Sequence, residues 1–337
     1  MNDTPKTYKS VSIIGDGAMA TVCSMILASN GVDVKIWGHD KDQLRQFEQN
    51  RENVRFLPGY KILDSIRFCY EDDAAFNGCE LVLSAVPCQY VRGVFKRLKP
   101  HYPDGLGIVS VAKGIENSTL LLPTQVIRQV LESTEDIGVL SGPTIADELA
   151  QNLPASACAA GSSEVFARRV QQTFSTPHFR VYYNHDVMGV ELAGALKNVI
   201  AIAAGIIDGL KLGDNAKAAL VARGIVEISR LGRELGAEND TFYGLSGVGD
   251  LITTCISPKG RNRSFGQRLG SGMSAKDALA ATNSVVEGVA TCESVSQLAE
   301  KVNVDMPIIN AVYNIIHGRM NIQQALDALM QRELKPE

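Results

Sequence analysis

What is scarce in this chain already narrows its function. There is no CxxC pair, and the seven cysteines (Cys23, Cys69, Cys79, Cys88, Cys158, Cys255 and Cys292) are scattered and odd in number. That pattern argues against a structural zinc or a disulfide framework and for reduced cytoplasmic thiols, each expected to be buried and inert. No apolar run approaches the ~20 residues that span a bilayer; the most apolar stretch, Val199 to Ile207, has nine. Met1 to Ser10 is polar, so no secretory leader is expected. Charge of one sign is scarce too. With 33 Lys+Arg against 37 Asp+Glu the net charge is −4, without the basic field that non-specific nucleic-acid binding needs. Repeats and low-complexity segments are absent, and 30 glycines against 12 prolines is an ordinary α/β balance. At 337 residues the chain is long enough for two domains, each with its own core.

What is present falls into two halves. The first alternates short apolar runs with amphipathic segments, the pattern of βαβ units and a parallel sheet. Strands are expected at Val11–Ile14, Val32–Trp37, Leu81–Val86, Gly107–Ala112, Val139–Leu140 and Ala155–Ala160, and a helix at Ala18–Ser29 closed by Asn30-Gly31. Beyond Asn184-His185-Asp186 the periodicity becomes helical: Val187–Leu210, Ala216–Leu235, Ala275–Ala281 behind a Ser274/Asp277 cap, Cys292–Lys301, Ile308–His317 and Ile322–Gln331. The expected architecture is α/β: a Rossmann-type dinucleotide-binding domain over residues 1–185, then an all-helical substrate and dimerisation domain over 186–337.

Gly15-Asp-Gly17-Ala18-Met19-Ala20 fits GxGxxA at the first strand-to-helix turn. There the first glycine permits a tight turn and the second lets backbone approach a pyrophosphate. A small third residue allows close helix–strand packing, with the anion on the helix N-terminus. An NAD-binding second strand ends in an acid that takes the ribose 2′-hydroxyl. Here it runs Trp37-Gly38-His39-Asp40, with Lys41 and Arg45 behind. His39 and those cations would welcome a 2′-phosphate, so the cofactor is NADP or NAD, with NADPH expected to be accepted at least as well as NADH.

Lys113 follows the strand Gly107–Ala112 directly, at the strand end where open α/β sheets bind ligands. Lys197 lies in Glu191-Leu-Ala-Gly194-Ala-Leu-Lys197-Asn198, inside a helix apolar nearly all round. Such a helix is buried, and a buried ammonium is costly unless paired or functional. Gly194, Asn198, Ala201 and Gly205 fall on one face, a stripe suited to close packing. Three further clusters look like parts of a substrate site: Ser141-Gly142-Pro-Thr144, Gly244-Leu-Ser-Gly-Val-Gly249-Asp250 with Thr254 one turn on, and Arg261-Asn262-Arg263, a guanidinium fork suited to a phosphate.

These stretches, with Val111-Ala-Lys113-Gly-Ile-Glu116, resemble the bacterial NAD(P)-dependent glycerol-3-phosphate dehydrogenases over essentially the whole chain. The resemblance implies reduction of dihydroxyacetone phosphate to sn-glycerol 3-phosphate, an entry to phospholipid synthesis, by a cytoplasmic homodimer without a metal. It implies Lys197 as proton donor and acceptor, Asp250 and Thr254 holding Lys197 and substrate hydroxyls, and Lys113 touching substrate and cofactor. Gly142, Thr144, Asn198, Gly260, Arg261 and Asn262 would line the substrate, with Arg261 and Asn262 on its phosphate. Gly15, Gly17, Ala18, Met19, Ala20, His39, Ala146, Arg261, Val285 and Glu287 would lie along the cofactor. The chain departs from the family at Ala18 and Met19, where Ser and an aromatic are common, at Asp16, often Ala, and at Gly260, where Ser is usual. Two other readings remain open: a reductase of a 3-hydroxy acid or ketopantoate, which would want a carboxylate anchor, and a non-catalytic dinucleotide-binding redox sensor, which needs no proton donor.

Overall fold

A computed structural model describes residues 6–133, 135–282 and 285–333; of residues 1–10, where no leader is expected, residues 1–5 lie outside it. The chain forms two compact units. The first comprises the chain through Lys113 together with Leu122–Glu191, and the second comprises Gly114–Leu121 together with the chain from Leu192 onwards.

The first unit is built on one eight-stranded sheet in the order β3-β2-β1-β4-β5-β6-β7-β8. The strands are β1 (Ser10–Ile14), β2 (Asp33–Trp37), β3 (Arg67–Cys69), β4 (Leu81–Ser84), β5 (Gly107–Ser110), β6 (Ile137–Ser141), β7 (Ala155–Ala160) and β8 (Phe179–Asn184). β1 to β6 run parallel, while β7 pairs antiparallel with β6 and parallel with β8. β4 is buried at every residue, as expected of a strand covered on both faces. β3 and β8 are the two strands that the sequence reading did not anticipate. β3 has three residues, too short for a pattern, whereas Phe179 and Val181 of β8 are buried and Arg180 and Tyr182 exposed. That alternation is legible in the sequence as a half-exposed edge strand.

Order reverses between β1 and β4, and the first helix, Ala18–Ser29, follows β1 and ends at Asn30 with Gly31 at φ +73°. Ala20 is fully buried, while Ala18 and Met19 pack on the rim of the core around Val11, Ile13 and Leu27.

The second unit is helical. Its segment from the first half of the chain, 114–121, is tied in by a hydrogen bond from Ser294 Oγ to the Ile115 carbonyl (3.0 Å) and one from Asn117 Nδ2 to Glu293 (3.1 Å). Helix Val187–Gly209, which crosses the boundary between the units, is long and apolar enough to cross a membrane. However, 89% of its most apolar window is buried in the protein, the property of a core helix.

Glycines set its closest contact in the second unit. A Cβ on Gly205 would lie 2.0 Å from the Arg263 carbonyl oxygen, and one on Gly266 of helix Arg261–Gly270 would lie 2.0 Å from that of Ile202. The two backbones touch where side chains normally stand. We expect Gly266→Val to cost at least ~3 kcal/mol by forcing them apart, read as a lowered midpoint in chemical unfolding; an unchanged midpoint would show that the helices separate freely.

Two buried carboxyl groups give the fold a pH dependence. Burial raises Glu191 to about 7 against its hydrogen bonds from Thr124, and raises Glu227 to about 7 against those from the backbone N–H groups of Ile308 and Ile309. With folded pKa values above the unfolded value near ~4.5, the folded state binds the extra proton. Their stabilising contribution is complete below pH ~4.5 and is lost as pH rises through about 7, at most ~3 kcal/mol for each group. Unfolding midpoints measured from pH 5 to 8 should fall from this source, and the fall should be smaller in Glu227→Gln. An identical slope in that variant would exclude Glu227 as a contributor.

Candidate active site

In the first unit the glycine loop sits at the carboxyl ends of β1 and β4, where the strand order reverses. Gly15 has φ +119°, and a Cβ on it would lie 2.7 Å from the Ala85 carbonyl oxygen. Only glycine closes this turn, and the Gly15 N–H donates to the Trp37 carbonyl (2.8 Å), joining the loop to the end of β2. Gly17 is the N-cap of helix Ala18–Ser29, no side chain caps that helix, and a Cβ on Gly17 would meet nothing within 4 Å. An uncapped helix N-terminus beside backbone kept bare by glycine is a cradle for an anion, and it fits the pyrophosphate of a dinucleotide.

Asn53 was not anticipated. It is buried, and its Nδ2 donates to the Asp16 carbonyl (2.7 Å) and to Thr21 Oγ1 (2.8 Å), fastening the loop to the first turns of the helix. A single asparagine in a loop gives no sequence signal for this.

At the end of β2 the charges are arranged differently from the sequence expectation. Lys41 pairs with Glu71 (2.9 Å), Arg45 pairs with Asp42 (2.9 Å) and lies over the Tyr70 ring, and Asp40 caps helix Lys41–Asn50. The cation beside His39 is Arg97, whose Nη1 is 3.1 Å from His39 Nδ1 while its Nε holds Asp72 (2.6 Å).

Lys113 and Gly142 follow the adjacent parallel strands β5 and β6. Lys113 Nζ and Thr144 Oγ1 both donate to the Gly142 carbonyl (3.1 Å each), so the two side chains meet at one oxygen. Ala146 begins the short helix Ala146–Ala150 just beyond.

In the second unit Lys197 is 6% exposed and Asp250 2%. Lys197 Nζ donates to Asp250 Oδ1 (2.5 Å) and to Thr254 Oγ1 (2.7 Å). Asp250 opens helix Asp250–Ile256 directly after a π-helical turn at Leu245–Gly249, where a Cβ on Gly247 would lie 1.9 Å from the Phe242 carbonyl oxygen. The glycines therefore permit a tight wind that delivers the carboxylate to the lysine. One turn later Thr254 donates to the Asp250 carbonyl (2.7 Å), which places both oxygens on one face. Cys255, on the same helix, is pushed up to about 12 by burial, which leaves it a thiol.

The glycine contact between helices Val187–Gly209 and Arg261–Gly270 also brings two amides together. Asn262 Nδ2 donates to Asn198 Oδ1 (2.9 Å), and the Gly288 N–H donates to Asn262 Oδ1 (3.0 Å). Asn198 Nδ2 is buried without a hydrogen-bond partner, a donor awaiting an acceptor. Arg261 is exposed at the first residue of its helix, whose N-cap, Gly260, contributes no side chain. Arg263 is not part of the expected fork: its Nε holds Asp208 (2.7 Å), which Lys217 also pairs with. Glu287 opens helix Glu287–Lys301, and Val285 before it is exposed.

Comparison with known proteins decides what these arrangements belong to. The profile described as NAD-dependent glycerol-3-phosphate dehydrogenase N-terminus matches residues 10–167, and its C-terminus counterpart matches residues 186–327. The chain belongs to the NAD-dependent glycerol-3-phosphate dehydrogenase family. It is 43% identical over 331 residues to the glycerol-3-phosphate dehydrogenase [NAD(P)+] of Citrifermentans bemidjiense, covering 98% of this chain and 99% of that one. The enzyme of that name from Geobacter sulfurreducens is 42% identical over 329 residues, 97% of this chain and 98% of its own. Among solved structures, glycerol-3-phosphate dehydrogenase from Coxiella burnetii superposes with a TM-score of 0.92 at 35% identity over 96% of this chain and 99% of that chain. A ketopantoate reductase from Ralstonia eutropha, at 15% identity and TM-score 0.58 over 91% of this chain and 97% of its own, shares the fold alone.

Proposed function

We propose that the chain reduces dihydroxyacetone phosphate reversibly to sn-glycerol 3-phosphate with NADH or NADPH. The observation that carries this reading is Lys197: a buried ammonium gripped by one carboxylate and one hydroxyl, beside an asparagine with an unused donor. A buried cation so oriented suits proton delivery to an oxygen that becomes negative as its carbon is reduced. Asp250 and Thr254 hold Lys197 Nζ on target, and Asp250 keeps it charged until the proton moves. The substrate phosphate is assigned to Arg261 with the uncapped N–H groups at its helix start, and to Asn198 and Asn262, donors suited to a dianion. Gly260 offers backbone only. Binding the non-reacting phosphate fixes the carbonyl relative to Lys197, so binding energy is converted into orientation.

A bound nicotinamide dinucleotide supplies the reducing equivalent. Gly15, Gly17, Ala18, Met19 and Ala20 would hold its pyrophosphate, with His39, Ala146, Arg261, Val285 and Glu287 along its length and Lys113, Gly142 and Thr144 at its reactive end. A soluble cytoplasmic homodimer serving phospholipid synthesis is part of the same reading.

Nicotinamide absorbance followed with dihydroxyacetone phosphate and, separately, with ketopantoate tests it. Turnover of the triose phosphate alone is expected. Turnover of ketopantoate alone would overturn the substrate assignment, and turnover of neither would favour a dinucleotide sensor.

A further inference from the structure

The residue that follows β2 in this chain, Gly38, has no side chain, yet the space it leaves is filled. A Cβ on Gly38 would lie 2.9 Å from Asp16 Oδ2 and 3.2 Å from its Cγ. The Asp16 carboxylate thus rests on the Gly38 backbone, at the end of the strand from which dinucleotide-binding sheets normally present their ribose-binding acid. It comes from the glycine loop instead. Three contacts keep it there. Gln43 Nε2 donates to Asp16 Oδ2 (3.0 Å), Arg55 holds the other end of Gln43 through its Oε1 (2.6 Å), and Asn53 pins the Asp16 carbonyl (2.7 Å). Burial pushes the Asp16 carboxyl above the usual carboxylate range and Asp40 acts in the same direction, while Arg55 and His39 favour its charge.

We infer that Asp16 replaces the missing strand-end acid, accepting the adenosine 2′-hydroxyl and repelling a 2′-phosphate, so that this chain prefers NADH to NADPH. The inference rests on the cofactor reading above and reverses the preference suggested by Lys41 and Arg45, both of which are committed to other carboxylates. Arg97, already shared with Asp72, and Arg55, held by the Gln43 amide, are the guanidinium groups left nearby. The steric fit explains why strand and loop cannot both carry an acid: a side chain at Gly38 and the carboxylate of Asp16 compete for one position.

The test is calorimetric titration of the full chain with NADH and with NADPH, which reads binding without turnover. The parent should bind NADH more tightly. Asp16→Asn, which keeps the shape and the Gln43 contact, should move the ratio of the two Kd values towards NADPH by about 10–100-fold, the value of one charge-assisted hydrogen bond. The double variant Asp16→Ala/Gly38→Asp returns the acid to the strand and should restore NADH preference, a rescue that a merely structural Asp16 would not permit. Equal changes for both cofactors in Asp16→Asn, or a parent that prefers NADPH, would overturn the inference while leaving the cofactor reading intact. A parent that binds neither overturns both.

Discussion

Lys197→Ala lowers kcat at least ~10²-fold, the usual worth of a positioned general acid, and leaves dinucleotide affinity essentially unchanged. The expectation follows from the burial of Lys197 and its two short contacts, to Asp250 and Thr254, neither of which lies in the glycine loop. Removing the ammonium also breaks the ion pair with Asp250, which is 2% exposed, and breaking a buried ion pair is itself destabilising by ~3–5 kcal/mol. The double variant Lys197→Met/Asp250→Asn separates the two effects, because it removes both charges and keeps the volume. Its melting temperature should recover towards the parent while kcat stays low. Near-parental kcat in either variant would remove Lys197 from the mechanism.

Arg261→Ala raises KM for dihydroxyacetone phosphate by ~10–100-fold, the range of a lost charge-assisted contact to a dianion. Arg261 is exposed at the start of its helix, so truncating it removes charge without opening a cavity. Turnover of unphosphorylated dihydroxyacetone, already poor without its anchor, should hardly respond. Equal losses on the two substrates would show that Arg261 supports the fold instead of the phosphate. Arg263→Ala provides the contrast. That side chain is committed to Asp208, so its loss should appear in stability before KM.

Much of this protein is written locally. Helix Ala18–Ser29 has the bounds its periodicity predicts, because strand, glycine turn, apolar helix and Asn-Gly cap all lie within some twenty-five residues and reinforce one another. The same holds for helix Val187–Gly209, whose composition requires burial wherever it packs, and for the Asp250/Thr254 pair, whose four-residue spacing puts both on one helical face. Sequence by itself therefore determined the α/β-then-helical order, the glycine loop and the lysine that needs a partner.

Tertiary structure alone decided which partners those residues have. Nothing local shows that 114–121 joins the helical unit, since its anchor, Ser294, is far along the chain. Asn53 reaches the glycine loop from a separate segment. Lys41 and Arg263 are cations near the right motifs, but each is paired with a carboxylate whose position depends on folding, Glu71 and Asp208, whereas Arg45 pairs locally with Asp42 three residues before it. Asp16 is the clearest case. Its side chain reaches the end of β2 because β1 and β2 are paired in register, Ile14 beside Trp37, so two residues twenty-two apart in sequence come to share one site. Charge and hydrogen bonding act through space over a few ångströms, and only the packed sheet sets which groups lie within that distance.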